Sequence, residues 1–413
     1  MADDTKLGSL PVLSNQGGIK HFEHGVHLLQ LWANICILET DEGVVLFDTG
    51  FEFNGPRIMQ EVGAITDQPI RYMVYGHGHA DHAFGSGWLL DDLQKRGAPR
   101  PTIIAHENLP LRFDRYQEML AYHEHINRIQ FAIPDNLPAF ARRYTYPDLT
   151  YREAMSFKLG KVTFELRHAQ GETDDCTWLW IPEAKTACVS DLWVWSCPNI
   201  GNPFKVQRYE TEWAKALEEI AGREPELLLP GHGPAISGRN EIKDACLTVA
   251  RALRFLHQEV VSRLNQGQWQ EEILNNFAWP EEFAQSPWLA PIYGHPYFIV
   301  QGILRRYHGW YDGNPSHLFP APSSAIAAEV LGLAGDQEKV LSRARALKEQ
   351  GHTQLALHLV DFLIQARDQP DRSALELKVQ LLEDLAGREK SLIARNILLG
   401  GVRQIKKQLE PKK

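Results

Sequence analysis

The sequence predicts an α/β sandwich followed by an all-helical domain. Two strand-rich blocks, within residues 19–106 and 161–191, are each flanked by segments with helical patterning. Two such blocks favour two sheets that pack face to face between layers of helices. Past about residue 320 the chain becomes rich in Ala and Leu, with helical periodicity and no strand pattern. We therefore predict an α/β domain over residues 1–320 and a helical domain over residues 321–413.

The elements of the α/β domain follow from apolar runs and the turn residues between them. Residues 34–40 and 44–47 are apolar, and Asp41-Glu42-Gly43 between them predicts a hairpin turn. Residues 107–140 are mixed in character and predict helices that form a wall or lid. The remaining predicted strands lie at residues 25–31, 70–75, 101–106, 161–168, 177–181, 186–191 and 227–229, and the predicted helices at residues 55–65, 210–222 and 237–266.

The C-terminal part reads as four helical stretches separated by Gly or Pro. A Pro-rich linker at residues 314–322 precedes them. Their pattern resembles stacked helix hairpins of the tetratricopeptide type, although no clean repeat is visible. We expect a module for packing or dimerisation. The stretches cover residues 325–333, 337–350, 353–367 and 373–386.

The segment 77–82, with the sequence HGHADH, carries the strongest chemical signal. It joins the apolar strand at residues 70–75 to a predicted helix that begins after small residues. Side chains two apart in extended backbone point the same way, so His77 and His79 can bind one ion together. Asp81 and His82 follow after the chain turns and can face a second ion. Imidazole and carboxylate groups suit zinc, and they also serve manganese or iron. A His-rich surface loop or a purification tag would lack the Asp and the strand-end position.

Three later segments supply further candidate ligands. They lie at residues 168–175, 189–192 and 229–234, each at the end of a predicted strand. Strand ends in a layered α/β protein place their loops around one crevice, where binding sites form. A carboxylate such as Asp191 can bridge two cations. Alone, each segment is more typical of a turn or a helix cap than of a metal ligand, whereas the segments together, in this order, are more specific.

The composition argues against several classes of protein. The net charge of −9 gives no general basic face for nucleic acid. No uncharged apolar run approaches 18 residues, so we expect no membrane span. Residues 1–14 contain charges and no apolar stretch of the secretory type. The five cysteines are scattered without a C-x-x-C pair, which argues against a disulfide framework. Together these features predict a cytoplasmic protein.

The order of the histidine and aspartate motifs resembles the metallo-β-lactamase superfamily over about residues 20–260. The resemblance implies an αββα sandwich with one or two metal ions, extended by helices over residues 237–320. It assigns the Asp that supports the histidine loop to Asp48 and the bridging carboxylate to Asp191. The other implied ligands are His77, His79, Asp81, His82 and His232.

One position departs from the usual pattern of the superfamily. Glu172 stands directly after Gly171, where most members have a histidine ligand. A glutamate at this position is similar to the alkylsulfatase branch. We expect Glu172 to complete the first metal set, with His168 as the alternative ligand. The extra carboxylate makes manganese or iron more acceptable, although zinc remains the first expectation.

The C-terminal half also resembles that branch. The segment 309–318, with the sequence GWYDGNPSHL, is similar to the alkylsulfatase linker into a dimerisation domain. Residues 395–401, with the sequence RNILLGG, are similar to the closing segment of that domain. The resemblance implies that residues 321–413 form a helical dimerisation domain and that the protein is a homodimer.

The resemblance implies a hydrolase with two Zn²⁺ ions that cleaves an ester, with sulfate monoesters first. A metal-bound water would provide the nucleophile, and Asp81 would orient it and accept its proton. Arg208 is the candidate clamp for the sulfate anion, and Tyr75 is a candidate donor to a substrate oxygen. Other bonds remain open: the substrate could be a lactone, thioester, phosphodiester or β-lactam, because the fold does not fix the reaction. A non-catalytic scaffold or a di-iron redox protein is a more remote alternative.

Overall fold

The computed structural model describes residues 18–367, 369 and 371–410, and it divides the chain into two compact units. The first contains residues 18–124 and 138–308, and the second contains residues 125–137 and 309–410. The domain boundary predicted from the sequence, at residue 320, lies 12 residues after the division that the structure shows at His308. The segment 125–137 of the second unit comes from within the sequence of the first, which a linear reading does not reveal. The domain boundary of 320 therefore stays a prediction.

The first unit contains two β-sheets. The first sheet has seven strands in the order β1 to β7, and the second has six strands in the order β13, β12, β11, β10, β9 and β8. The strands are β1 Ile19–His21, β2 Val26–Leu29, β3 Ile35–Thr40, β4 Gly43–Phe47, β5 Ile70–Val74, β6 Thr102–His106, β7 Leu149–Tyr151, β8 Ala154–Leu159, β9 Val162–Ala169, β10 Cys176–Ile181, β11 Thr186–Ser190, β12 Leu227–Pro230 and β13 Ile236–Ser237.

Helices cover the outer faces of both sheets. Those of the first unit are α1 Gly55–Ile65, α2 Ala80–Ala83, α3 Ser86–Lys95, α4 Leu109–Glu118, α6 Glu210–Gly222, α7 Arg239–Asn265, α8 Gln270–Asn275, α9 Glu281–Ala284 and α10 Pro296–Tyr307, while α5 Leu120–Gln130 begins in the first unit and ends in the second. Short 3₁₀ turns occur at Glu52–Asn54, Pro287–Leu289 and Pro315–His317.

Three apolar layers explain why the sandwich forms. Alternating side chains of β3 and β10, such as Leu38 and Leu179, meet between the two sheets. Ile37 on the opposite face of β3 packs under the helices of the first sheet. Trp178 of β10 and Trp213 of α6 belong to the core under the helices of the second sheet. Period-two alternation thus buries both faces of each sheet, and the predicted αββα sandwich is confirmed.

Parallel pairing sets where the functional loops begin. Strands β4, β5 and β6 pair in parallel in the first sheet, and β11 pairs in parallel with β12 in the second. Residues 48–50 follow β4, and the histidine loop follows β5. Asp191 follows β11, and His232 lies two residues after β12. The carboxyl ends of these strands therefore deliver the chemical residues in the arrangement that the sequence predicts.

The second unit is helical from residue 323 onward. Its core contains Leu341, Ala356, Val360 and Leu381. The four predicted stretches are helices, and a fifth, α15, covers a segment that the sequence pattern left unassigned. The tetratricopeptide resemblance stays a prediction. The helices are α11 Ser323–Ala334, α12 Gln337–Glu349, α13 Thr353–Gln365, α14 Arg372–Arg388 and α15 Leu392–Leu409. No helix in the described ranges combines the length and apolar character needed to cross a membrane.

Candidate metal centre

The histidine loop aims two imidazoles at one point. His79 is extended, with φ −76° and ψ 156°, and the short helix α2 begins directly after it. Nε2 of His77 lies 2.7 Å from Nδ1 of His79. The turn into α2 then directs Asp81 and His82 toward His232, although the ring of His82 stays 4.3 Å from that of His77. The expected separation of the loop into two ligand pairs is present in the structure.

Two groups of metal-binding side chains form around this loop. The first contains His77, His79, Glu172 and Asp191, and the second contains Asp81, His82 and His232. Within each group the potential ligand atoms lie within 4.8 Å of one another. The structure therefore brings together all seven residues predicted as ligands.

Asp191 faces both groups with its two carboxylate oxygens. Its Oδ2 lies 3.7 Å from Nε2 of His77 in the first group. Its Oδ1 lies 3.2 Å from Nε2 of His82 and 3.3 Å from Nε2 of His232 in the second group. This is the position that a carboxylate shared between two cations would need.

Several of these atoms fit a cation better than any protein partner. Nε2 of His82, Oε2 of Glu172 and Oδ1 of Asp191 are buried and have no hydrogen-bond partner in the structure. Buried polar atoms without partners cost free energy, and they call for an explanation such as an ion. Nitrogen and carboxylate oxygen atoms that converge in this way match the donors preferred by zinc. The residues present therefore fit a metal centre.

Neighbouring groups hold the ligands in place. Oδ2 of Asp48 lies 2.8 Å from Nδ1 of His82, and Oδ1 of Asp48 accepts the backbone N–H of Gly76 at 2.6 Å. Nδ1 of His232 lies 2.6 Å from the carbonyl oxygen of Trp32. A hydrogen bond from the second ring nitrogen orients an imidazole and leaves its Nε2 for metal. Asp48 thus lies where the resemblance places it.

Glu172 is held through one oxygen only. Its Oε1 accepts Nδ2 of Asn199 at 2.9 Å and also a hydrogen bond from Nη1 of Arg208. The same Nη1 donates to the carbonyl oxygen of Asn199 at 2.6 Å. Burial raises the pKa of Glu172 to about 8, against the lowering effect of Arg208. The grip on Oε1 leaves Oε2 directed at His77 and His79, each 3.8 Å away.

The structure places Arg208 beside the first ligand group. Its guanidinium is buried, and Nη1 is bound to Glu172 and to the backbone of Asn199. Arg208 therefore holds the Glu172 carboxylate in this structure, and its role as an anion clamp stays a prediction.

Tyr75 and His168 lie outside the two groups. The hydroxyl of Tyr75 donates to Oγ of Ser86 at 2.6 Å and lies 3.1 Å from the carbonyl oxygen of Thr145, and the side chain is fully buried. The structure gives Tyr75 a packing role, because its ring points into the core on the helix side of the sheet. His168 bonds the carbonyl oxygen of Cys176 and stacks on His106. Glu172, and not His168, joins the ligand groups.

Burial controls the protonation of the imidazoles in the first group. It lowers the pKa of His77 to about 3, and the nearby His82 adds to this effect. Burial likewise holds the pKa of His79 well below its ordinary value, with further lowering from His77 and Arg208. Both rings are therefore neutral near pH 7, the form in which imidazole binds a metal.

The sequence reading missed two residues near the ligands. Burial lowers the pKa of Lys205 to about 7, Arg208 lowers it further, and the charges of Glu172 and Asp81 act against this shift. Burial raises the pKa of Tyr293, and Glu172 and Asp81 also raise it. Both side chains therefore lie within electrostatic reach of the ligands. A lone Lys in a loop and a Tyr far along the chain carry no local motif that could have revealed them.

Two family models match the chain. The model of the metallo-beta-lactamase superfamily matches residues 33–232, and the model described as alkyl sulfatase dimerisation matches residues 270–408. The first covers the histidine loop and His232, and the second covers α8 to α15 with the linker between them.

Curated relatives match nearly the whole chain at low identity. A linear primary-alkylsulfatase of Pseudomonas sp. is 24% identical over 91% of this chain and 74% of its own length. An alkyl/aryl-sulfatase of Saccharomyces cerevisiae is 22% identical over 91% of this chain and 61% of its own length. An (R)-specific secondary-alkylsulfatase of Pseudomonas sp. is 22% identical, again over 91% of this chain, and the chain spans 60% of that enzyme.

The fold agrees with that of a solved alkylsulfatase. The stereoselective inverting sec-alkylsulfatase Pisa1 from Pseudomonas sp. superposes with a TM-score of 0.83 and 21% identity over 96% of this chain and 67% of that chain. A double mutant of Pisa1 gives a TM-score of 0.84 over 98% of this chain and 68% of the other. Residues 33–232 thus match the metallo-beta-lactamase superfamily, and the chain has the fold of a solved alkylsulfatase. Its homologues are alkylsulfatases, and it shares with them a dimerisation segment after the metallo-beta-lactamase segment.

Proposed function

We propose that this protein is a binuclear metal-dependent hydrolase that cleaves an ester, with sulfate monoesters as the first substrate class. The observation that carries the proposal is the pair of ligand groups that share Asp191. The names of the curated relatives favour sulfate esters over other substrates.

Each ion would be held by three residues in addition to Asp191. His77, His79 and Glu172 would bind the first ion, and Asp81, His82 and His232 the second. We propose zinc for both, because four imidazoles and three carboxylates form a mixed nitrogen and oxygen set. Manganese or iron would also accept this set.

The chain's own residues would divide the remaining work. Bound ions of this kind lower the pKa of a water and withdraw charge from an ester oxygen. Oδ2 of Asp81 lies 3.6 Å from Nε2 of His232 and 3.8 Å from Nε2 of His82, so it can orient the attacking water and take its proton. Arg208 and Asn199 hold Oε1 of Glu172, which keeps the first group rigid during the reaction.

We propose Lys205 as a second partner of the sulfate group, beside Arg208. Its charge interacts with those of Asp81 and Glu172, one residue from each ligand group. In its protonated form it would offset the negative charge of a sulfate or phosphate ester, whereas a lactone or β-lactam would gain less from it. Loss of Lys205 should raise the KM for anionic esters by about 10- to 100-fold, the range expected for one charged contact.

The test combines metal content with an ester panel. Plasma mass spectrometry should find about two ions per chain, and the panel should contain an aryl sulfate, dodecyl sulfate, a phosphodiester, a thioester, a lactone and a cephalosporin. Two ions with turnover of a sulfate would support the proposal. Turnover of another ester alone would overturn the substrate class and keep the metal centre. No ion and no turnover after addition of zinc or manganese would overturn the enzyme.

Variants of two lysines sharpen the substrate test. Lys205→Ala should lose sulfate turnover through a higher KM, while Lys158→Ala, at an exposed position of β8, should behave as the wild type. An equal loss on charged and neutral esters would argue against the role of Lys205.

We also propose a homodimer that forms through the helical unit, with residues 321–413 as the dimerisation domain. α11 exposes Ile326, Val330 and Leu333, a spacing that places them on one helical face. Leu333 is 90% exposed. An apolar stripe of this kind fits a second copy of the same surface.

A reducing compartment such as the cytoplasm suits the cysteines. All five are free thiols, and all are buried. The absence of a disulfide among these five cysteines is the observation that supports this proposal.

A further inference from the structure

Ser190, the last residue of β11, has an unusual backbone conformation for its type. Its φ is +44°, in the left-handed region that serine rarely adopts. Asp48, which follows β4 in the other sheet, also has a positive φ, of 66°. Such conformations cost free energy and persist where the surrounding structure requires them. Both residues are buried, and their side chains meet.

The hydroxyl of Ser190 lies at the centre of a small hydrogen-bond network. Its Oγ lies 2.9 Å from Oδ2 of Asp48. The same Oγ lies 3.3 Å from Nδ1 of His77 and 3.3 Å from Nδ1 of His82. His77 belongs to the first ligand group and His82 to the second. One hydroxyl therefore touches the rear nitrogens of both groups.

Counting donors assigns a direction to each bond. A serine hydroxyl has one hydrogen, and the carboxylate of Asp48 can only accept. The hydroxyl therefore donates to Asp48, and its lone pair is left to accept N–H from Nδ1 of His77. Nδ1 of His82 donates directly to Oδ2 of Asp48 at 2.8 Å. In this arrangement both rings carry hydrogen on Nδ1 and keep the Nε2 lone pair for a cation.

We propose that Ser190 is a positioning residue that extends the influence of Asp48 to His77, so that one carboxylate fixes the tautomers of one histidine in each ligand group. The inference rests on the proposed metal centre. His82 contacts Asp48 directly, but His77 reaches Asp48 through Ser190. The two groups therefore differ in how much they depend on the hydroxyl.

The packing around Ser190 explains its strained backbone. A Cβ at Gly76 would lie 2.3 Å from Oγ of Ser190, and a Cβ at Gly231 would lie 2.1 Å from Oδ1 of Asp191. These glycines directly precede His77 and His232. They let the Ser190-Asp191 pair approach both histidine segments closely, and the positive φ directs the hydroxyl to one side and the carboxylate to the other.

The test removes the hydroxyl in two ways. Ser190→Ala keeps the strained backbone, whereas Ser190→Gly removes the hydroxyl and relieves the strain. Ser86→Ala is the matched control, because Ser86 is also buried and its hydroxyl bonds Tyr75 and a backbone carbonyl away from the ligand groups. Competition with a chelator gives the two ion affinities, and nitrogen-15 NMR of the imidazoles in the ion-free protein gives the tautomers.

We expect both Ser190 variants to bind the first ion about 10- to 100-fold more weakly, the usual effect of losing an outer hydrogen bond to a metal ligand. The second ion should change less, and His77 in the ion-free protein should become a mixture of tautomers. Ser86→Ala should bind both ions as the wild type does.

The other outcomes overturn the inference. Ser190→Gly with wild-type affinities would show that the hydroxyl has no role, and an equal loss at both sites would show a general structural role. Unchanged tautomers in both variants would also overturn it. A wild-type protein that binds no ion would instead overturn the proposed function, so the two failures are distinguishable.

Discussion

The ligand groups and the helical unit differ in the kind of unsatisfied group that they contain. The ligand groups have buried polar atoms without hydrogen-bond partners, and the helical unit has exposed apolar side chains. The first region buries polar atoms of His82, Glu172 and Asp191 without hydrogen-bond partners. The second exposes apolar side chains of α11 to solvent, such as Leu333. A buried polar atom is stabilised by a charged or polar partner, and an exposed apolar stripe is stabilised by contact with another apolar surface. The comparison teaches that unsatisfied groups indicate the chemistry that would satisfy them, which supports the proposed cations in one region and the proposed dimer in the other.

The largest effect should follow from removal of the shared carboxylate. Asp191→Ala should lose both ions and lower kcat/KM by roughly 10³-fold or more, because loss of a buried charged partner costs about 3–5 kcal/mol. Metal content after gel filtration and steady-state kinetics measure this. Asp361→Ala, which removes the partner of Lys378 in the helical unit, is the control. If Asp191→Ala retained two ions, the unsatisfied atoms of the ligand groups would not identify a shared cation site.

The next effect separates the two candidate ligands at the end of β9, His168 within the strand and Glu172 after it. Glu172→Ala should bind the first ion about 10²-fold more weakly, the effect expected for the loss of one charged ligand, and should therefore lack this ion after purification. His168→Ala should keep both ions, since His168 is bound to Cys176 and stacked on His106. Metal content of the two purified variants decides between them. The opposite result would make His168 the ligand.

Addition of ions should stabilise the protein by satisfying the buried atoms. At an ion concentration 100-fold above the dissociation constant, the free energy of unfolding should rise by about 2.7 kcal/mol per site. Denaturant unfolding of the chelator-treated protein, with and without zinc, measures the change. Asp191→Ala should show a much smaller increase, and an equal increase in that variant would point to binding elsewhere.

Charge on the exposed stripe should separate the subunits. Val330→Glu combined with Leu333→Glu should weaken the dimer by about 10- to 100-fold, because each carboxylate would be buried against an apolar surface. Stability of the separated chains should change little, since both positions are exposed. Sedimentation velocity gives the oligomeric state. Leu111→Glu, at an exposed position of α4, is the control and should leave the dimer intact.

The smallest effect concerns Glu212, a carboxylate that is paired with an arginine side chain of the same chain. Glu212 accepts Nη1 and Nη2 of Arg306 at 2.7 and 2.6 Å. Burial raises the pKa of Glu212, but these bonds and the Thr211 hydroxyl hold it below its ordinary value. A lowered pKa in the folded state stabilises the protein at pH values above the unfolded pKa, and this contribution is lost as the pH falls through the folded pKa.

Glu212→Gln should therefore cost about 0.5–1 kcal/mol near pH 7, as expected for a half-buried pair. The difference from the wild type should shrink as the pH falls below about 4, where the wild-type carboxylate is protonated. Urea unfolding at several pH values measures it. A difference that stays constant with pH would contradict the assigned role of the charge.

Much of the fold followed from patterns that are local in sequence. The helices at 55–65 and 239–265 and the hairpin after Thr40 were predictable because their periodicity and turn residues lie within one segment. β13, with only two residues, carries no pattern to detect. The assignment of residues 125–137 to the helical unit depends on long-range packing, which a local pattern does not record.

In the candidate site, too, features that are local in sequence could be predicted, and features that depend on distant residues could not. Ligand residues could be predicted because each occupies a short motif at a strand end. The contact between Arg208 and Glu172 was not predictable, because the two residues are 36 positions apart in the sequence. Lys205 and Ser190 were missed for the same reason: their importance comes from neighbours on other strands and loops. Tyr75 looked available at the end of a strand, yet its partners on α3 and at Thr145 hold it in the core.

The close approach at Gly76 and Gly231 has a consequence for how this protein can change by mutation. Any side chain at either position would collide with the Ser190-Asp191 pair. Laboratory selection for new substrates should therefore recover no substitutions at these two glycines. Accepted changes should gather in the long segment 192–208 after Asp191, which carries Asn199 and Lys205 and has no regular secondary structure. The same glycines that permit a compact metal centre thus confine adaptation to the loops around it.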